Sequence, residues 1–267
     1  MATAAAAVDV GSLLRAWRER RRLTQMEVAL DAGISARHLS FVETGRSKPG
    51  RETLLGVTER LAIPYRERNE ILLAAGYAPA FPERPLEDPA LALVRGALDR
   101  ILAAHDPYPG LAIDRGWNLV VANEAVSLMT ERFDIDTSLL EPPINVMRVG
   151  LHPRGLAPHI VNLGHWRAHY IGRLEQQIAI TGDPGLSALL DEVRAYPGGG
   201  EAAAQGPIDA TETLGPVRVR APDGGEWSFF GMFAGFDTPF EVTTSEIALE
   251  LLFPADQFTQ QAFKKGE

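Results

Sequence analysis

The chain has 267 residues, 45% hydrophobic and 23% charged, with no cysteine and a net charge of −9. That length allows two domains with their own cores. The lack of cysteine excludes disulfides and thiolate metal sites, and no apolar run reaches the ~20 residues of a membrane helix. The charge is unevenly divided: residues 10–79 carry 12 Lys+Arg against 8 Asp+Glu, whereas residues 80–267 carry 14 against 26. One half therefore attracts a polyanion that the other repels. The opening MATAAAAVDV has neither the basic flank nor the long apolar stretch of a secretory signal. It reads as a frayed tail, and a cytoplasmic location is expected.

The first region reads as all-helical. Leu13, Leu14 and Trp17 line one face of a helix ending in Arg20, Arg21 and Arg22, which suit either DNA-backbone contacts or a solvated helix end. Thr24-Gln25-Met26-Glu27 has the T-x-x-E form of a capping box, in which hydroxyl and carboxylate satisfy orphan backbone donors. Val28 and Ala29 give that second helix its inner face. Gly33 supplies a turn, Ile34 plugs the corner, and Ser35 caps a third helix. Leu39 and Val42 continue the apolar face until Gly45 ends it. Two further helices are expected over 51–61 and 64–75.

Small Ala29 at a helix crossing, followed by the Gly33 turn and the buried Ile34 and Leu39, meets the demands of a helix-turn-helix. The stretch LRAWRERRRLTQMEVALDAGISARHLSFVETGRSKP resembles the Xre/Cro/lambda-repressor-like family over about residues 11–63. The resemblance implies roles by position. Thr24 and Gln25, at a helix N-terminus, are placed for a phosphate. Ser35, Ala36 and Arg37 begin the recognition helix, with the Arg37 fork suited to guanine O6 and N7 and Ala36 to a thymine methyl. His38 and Ser40 are secondary base contacts or members of a solvated face, and Arg46, Ser47 and Lys48 suit phosphates. Glu43 is expected to pair with Arg18 and lock the fold. The implied partner is a double-stranded DNA operator, palindromic if read by a homodimer.

Pro79, Pro82, Pro85 and Pro89 break any helix and mark a linker over 79–89, between domains spanning 10–78 and 90–267. A helix is expected over 91–105, then strands over 110–113 and 117–122 joined by an Asp114-Arg115-Gly116 hairpin turn, and a helix over 124–133. The segment 156–195 reads as helical, with Leu163, Trp166, Tyr170, Leu174 and Ile178 recurring at helical spacing. Asp183-Pro184-Gly185 breaks that helix, and a shorter one runs to about residue 195. Residues 197–209, PGGGEAAAQGPID, read as a mobile loop. Strands are expected over 217–220, 227–236 and 247–253, the first two turned by Asp223-Gly224-Gly225. This order suggests an antiparallel sheet with helices on one side.

The segments ILLAAGYAPAFPERPLEDP, GWNLVVANEAVSLM and NVMRVGLHPRGL, with the Trp166 helix, resemble the MmyB-like transcription regulators. That resemblance implies a PAS-like domain, following the Xre-type module, that holds an apolar, fatty-acid-like ligand. The expected fold is thus an all-α lambda-repressor-like helix-turn-helix domain followed by an α+β PAS-like domain with an antiparallel sheet. Trp117, Met129, Trp166, Tyr170, Phe229 and Phe236 are candidates for a pocket wall, or for plain core packing. Arg148 and Arg154 could meet a ligand carboxylate or serve as surface charges.

His165 and His169, at i and i+4, could hold zinc, but the intervening Trp-Arg-Ala departs from the zinc-protease pattern and no metal site is expected. G-x-S-x-G, a phosphate loop and a thiol nucleophile are all absent, so neither an enzyme nor a resident cofactor is expected. The protein reads as a regulator sensing a small apolar ligand. The alternative is a DNA-binding regulator or antitoxin whose second domain grips a protein partner through an exposed apolar patch.

Overall fold

A computed structural model of the protein describes residues 9–197, 215–222, 224–237 and 239–264. The expected frayed start at 1–8, the loop over 198–209 and Asp223 of the expected turn lie outside those residues. The chain divides into two compact units, the first holding the residues through Glu83 and the second nearly all of those from Arg84.

The first unit contains α1 (Val10–Arg20), α2 (Gln25–Asp31), α3 (Ala36–Glu43), α4 (Arg51–Arg60) and α5 (Tyr65–Ala74). Local chemistry sets these limits. Thr24 and Glu27 form the reciprocal capping box, and the Ser35 hydroxyl accepts from the His38 amide at the start of α3. Gly33 and Gly45 take left-handed φ values of 68° and 69° after α2 and α3, where a Cβ would be strained. Leu14, Val28, Leu39, Val42, Leu54 and Leu72 are buried in one core. Gly11 lets α1 touch α3 directly, since a Cβ there would lie 2.4 Å from the Val42 carbonyl oxygen.

Part of the expected linker is packed. The Asn69 side chain accepts from the Ala80 and Phe81 amides and donates to the Phe81 carbonyl. The Tyr65 and Phe81 rings stack at 4.1 Å. The prolines keep this stretch out of α-helix, although Pro89 opens a short 3-10 turn to Leu91; they do not rule out order.

In the second unit α6 (Ala92–His105) precedes β1 (Gly110–Ile113), β2 (Leu119–Ala122), α7 (Glu124–Glu131), α8 (Val146–Leu151), α9 (Leu163–Thr181) and α10 (Pro184–Ala195). Then come β3 (Val217–Arg220), β4 (Glu226–Gly235), α11 (Val242–Glu246), β5 (Ala248–Pro254) and α12 (Gln257–Lys264). The five strands form one antiparallel sheet in the order β2-β1-β5-β4-β3. β2 begins two residues later than expected, because Trp117 takes a left-handed φ of 64°. There the Asp114 carboxylate accepts from the Asn118 amide and closes the turn.

Helices cover both faces of this sheet, where the sequence suggested one. Leu249 and Leu251 of β5 pack with Leu98 and Leu102 of α6. The intervening residues of the strand point the other way, toward α7, α8 and α9, as the period of two requires. The short α8, α11 and α12 differ from the expectation: a helix of five to eight residues shows too little period to separate from a loop.

Candidate DNA-reading face and ligand cavity

On the first unit, α2 and α3 are held by a buried polar cluster. Arg18 meets Glu43 through two parallel bonds, Nε to Oε1 at 2.7 Å and Nη2 to Oε2 at 2.9 Å. A third donor, the Gln25 Nε2, reaches Glu43 Oε2 at 2.8 Å. The hydrogen bond to Glu43 raises the Arg18 pKa above its ordinary value. This ties the start of α2 to the end of α3 and the last turn of α1, with the Glu43 side chain only 2% exposed.

The expected DNA contacts are distributed unequally over this scaffold. Arg37 is exposed on α3, its guanidinium 5.3 Å from the Phe41 ring centroid, which leaves its outer donors open to a base edge. Ala36, His38 and Ser40 are partly exposed on the same short helix. Arg46 and Lys48 are exposed after it, and Ser47 is half-buried. Thr24 is tied to its cap: its hydroxyl donates to Glu27 and accepts the Glu27 amide. Ser35 Oγ is likewise a cap acceptor. Gln25 keeps one amide proton beyond its Glu43 bond. Arg21, within the basic run, donates to the Leu61 and Ala62 carbonyls at the end of α4 and serves the fold.

The second unit holds a partly open cavity of about 290 Å³. The sheet supplies Leu111, Ala122, Val217, Val219, Phe229 and Leu252, α7 supplies Val126 and Met129, α8 supplies Met147 and Gly150, and α9 supplies Trp166 and Tyr170. These groups meet there because antiparallel pairing puts Leu111 opposite Glu250 and Val217 opposite Phe229 on one face. The wall is almost wholly apolar. Its one ionisable carboxyl among the described residues belongs to Glu250, 6% exposed, which accepts a hydrogen bond from the Tyr170 hydroxyl through Oε1. Burial pushes Glu250 up to about 7 against the opposing pull of Tyr170 and Arg173. Burial also carries the Tyr170 hydroxyl well above the ordinary tyrosine range.

Met129, Trp166, Tyr170 and Phe229 thus come together in one wall, whereas three other expected members lie elsewhere. Trp117 is packed behind Tyr170, ring centroids 5.7 Å apart, with its indole N–H donated to Gln177. Phe236 packs with the α6 cluster on the opposite face of the sheet. Arg148 makes a bidentate pair with Glu192 at 2.8 and 2.9 Å, outside the wall. That hydrogen bond raises the arginine and lowers the glutamate. Arg154, the other candidate for a ligand carboxylate, is exposed and paired with Asp136. His169 is lowered by burial and stacks on Trp166; among the described residues no group of three or more His, Asp or Glu side chains is gathered for a metal. Glu250 escaped sequence reasoning. Its signal was an acid at an inward position of an otherwise apolar strand, ALELLFP.

A helix-turn-helix fold with a basic exposed face, joined in one chain to an α+β unit enclosing an apolar cavity, defines a DNA-binding transcription regulator with a ligand-binding domain. The comparisons agree. Residues 94–265 match the MmyB-like transcription regulator ligand binding domain, and residues 9–71 match a helix-turn-helix domain. The chain belongs to the MmyB-like transcription regulators.

Two relatives come from Bacillus subtilis (strain 168). The HTH-type transcriptional repressor RghR is 40% identical over 68 residues, 25% of this chain and 48% of that protein. The uncharacterized HTH-type transcriptional regulator RghRB is 36% identical over 74 residues, 27% of this chain and 51% of that protein. The chain thus spans about half the length of the curated relatives it matches. A solved structure, an RNA-binding Light-Oxygen-Voltage receptor, is 14% identical over 96% of this chain and 60% of that one, with a TM-score of 0.27, too low to bear on the fold.

Proposed function

We propose that the protein is a non-enzymatic, homodimeric regulator whose second, PAS-like unit senses a small apolar ligand with a hydrocarbon body of the fatty-acyl kind. The observation that carries this reading is the cavity: apolar side chains from the sheet and three helices close around a space rather than filling it. Protein interiors are otherwise packed to crystal density, so a void of this size is a cost unless something occupies it. A protein-gripping domain would present its aromatics outward, whereas here Phe229 and Tyr170 face the cavity and are buried.

Two protomers pair through their second units and place two recognition helices about one DNA turn apart on a palindromic operator. Arg37 reads a base, while Gln25, Arg46, Ser47 and Lys48 position the backbone. The ligand changes operator affinity by its differential affinity for two arrangements of the dimer.

Native mass spectrometry of the purified protein, followed by denaturation and analysis of what is released, tests this. A dimer releasing an apolar molecule is expected. A monomer, or a protein that neither releases nor is thermally stabilised by any apolar probe, would overturn the reading.

A further inference from the structure

The acid on the cavity wall bears on when that cavity can be filled, and this rests on the ligand reading above. Glu250 sits between Leu111 and Phe233 on the cavity face of the sheet, its register partners on β1 and β4. Its Oε1 accepts from the Tyr170 hydroxyl, so a proton bound to the carboxyl sits on Oε2. Gly231 on β4 is exposed and leaves one flank of the acid uncovered, since a Cβ there would lie 3.8 Å from Oε1.

Few groups meet the charge of an ionised Glu250. Among the described residues the lining from the other strands, α7 and α8 holds no ionisable side chain, and α9 contributes Tyr170. Arg173, also on α9, draws on the carboxylate from outside the lining, its guanidinium 3.5 Å from the Phe233 ring centroid. His169 stacks on Trp166, and Arg148 of α8 is taken by Glu192. Beyond Tyr170 and Arg173, what is left to solvate the charge is water, which a partly open space of about 290 Å³ can admit. An apolar body filling that space expels the water and offers the charge nothing in return. The cost is large for a carboxylate and small for a neutral carboxyl.

We propose that filling the cavity is coupled to a proton on Glu250: an apolar body binds the neutral form, and binding to the ionised form draws one proton from solvent onto Oε2. By linkage, the occupant raises the affinity of Glu250 for that proton as much as the proton raises affinity for the occupant. Burial holds the carboxyl up to about 7 before any occupant arrives, and the occupant carries it higher. Affinity for an uncharged apolar molecule is therefore full below about 7 and falls as pH rises through the window above it. The cavity thus answers to acidity as well as to ligand.

The test titrates the full chain with octanol and with octane, both uncharged throughout, by calorimetry from about pH 6 to about pH 9. The wild type should lose roughly tenfold in affinity for both across that range. At about pH 8 the binding heat should change with the ionisation enthalpy of the buffer, as proton uptake requires. Glu250→Gln should bind both probes with a flat profile and take up no proton. Tyr170→Phe removes a donor that favours the carboxylate, so its falling limb should move to higher pH; it carries the test if the Gln variant fails to fold. Octanol bound by the wild type with one affinity at every pH, and without proton uptake, would overturn the inference and leave the cavity reading standing. So would a decline that neither variant moves. Failure of both probes to bind would remove the cavity reading and this inference with it.

Discussion

The DNA-reading face and the cavity ask opposite things of their side chains. Between Thr24 and Lys48 the functional groups are polar and mostly exposed, and what positions them is a buried ionic cluster, Arg18–Glu43–Gln25. In the second unit the cavity groups are apolar and mostly buried, and what stands out is one acid, Glu250, bonded to the Tyr170 hydroxyl. The first site is stiff because a charge pair is satisfied inside it. The second carries its acid among apolar neighbours, where burial raises the carboxyl to about 7. A buried ionisable group therefore ties helices together in one region and is held toward its neutral form in the other.

The largest expected effect breaks the first half of that contrast. Glu43→Ala strips Arg18 of its partner while the arginine stays 13% exposed, and removing one member of a buried pair costs about 3–5 kcal/mol. Urea denaturation followed by helical circular dichroism should show that loss. A change below about 1 kcal/mol would place the pair with ordinary surface bridges.

The second half is tested by pH. With its carboxyl raised to about 7, the folded protein holds the Glu250 proton more tightly than the unfolded chain does. Stability from this group is full below the ordinary carboxylate range and is lost as pH rises through about 7. Tyr170 and Arg173 face the group and are part of the same balance. Denaturation midpoints of the wild type should fall over that window, and Glu250→Gln should flatten the slope. An unchanged slope in the variant would assign the titration elsewhere.

A smaller effect separates reading from positioning on the first unit. Arg37→Ala should weaken binding to selected DNA by about 1–3 kcal/mol and relax preference at one base pair. Equal loss on all sequences in an anisotropy assay would make Arg37 a phosphate contact.

The two regions also differ in how far they could be read from the residues alone. Caps, turns and the Arg18–Glu43 pair of the first unit lie close in sequence or in a fixed motif, and the structure has them where spacing put them. The sheet was legible as strands but not as faces. Whether Phe229 or Phe236 faces the cavity depends on the register of β4 against β5 and β3, a long-range pairing that alternation leaves open. Trp117 was misplaced because an aromatic at a turn looks the same whether it lines a space or backs one. Arg148 was misplaced because Glu192, its partner, is 44 residues away. Glu250 stands out as the acid of an otherwise apolar strand, but that it faces the cavity follows only from its pairing with Leu111 and Phe233.

The most direct measurement of the account joins the two sites. Gly150 lines the cavity, and a Cβ added there would meet nothing within 4 Å, so Gly150→Leu should fill the space while leaving the fold and the DNA face intact. DNA selected from a random pool would be titrated with wild type and variant, with and without octanol. The account predicts that octanol changes the affinity of the wild type and leaves that of Gly150→Leu unchanged. An affinity that octanol shifts equally in both proteins, or in neither while octanol binds the wild type, would contradict the claim that the cavity governs DNA binding.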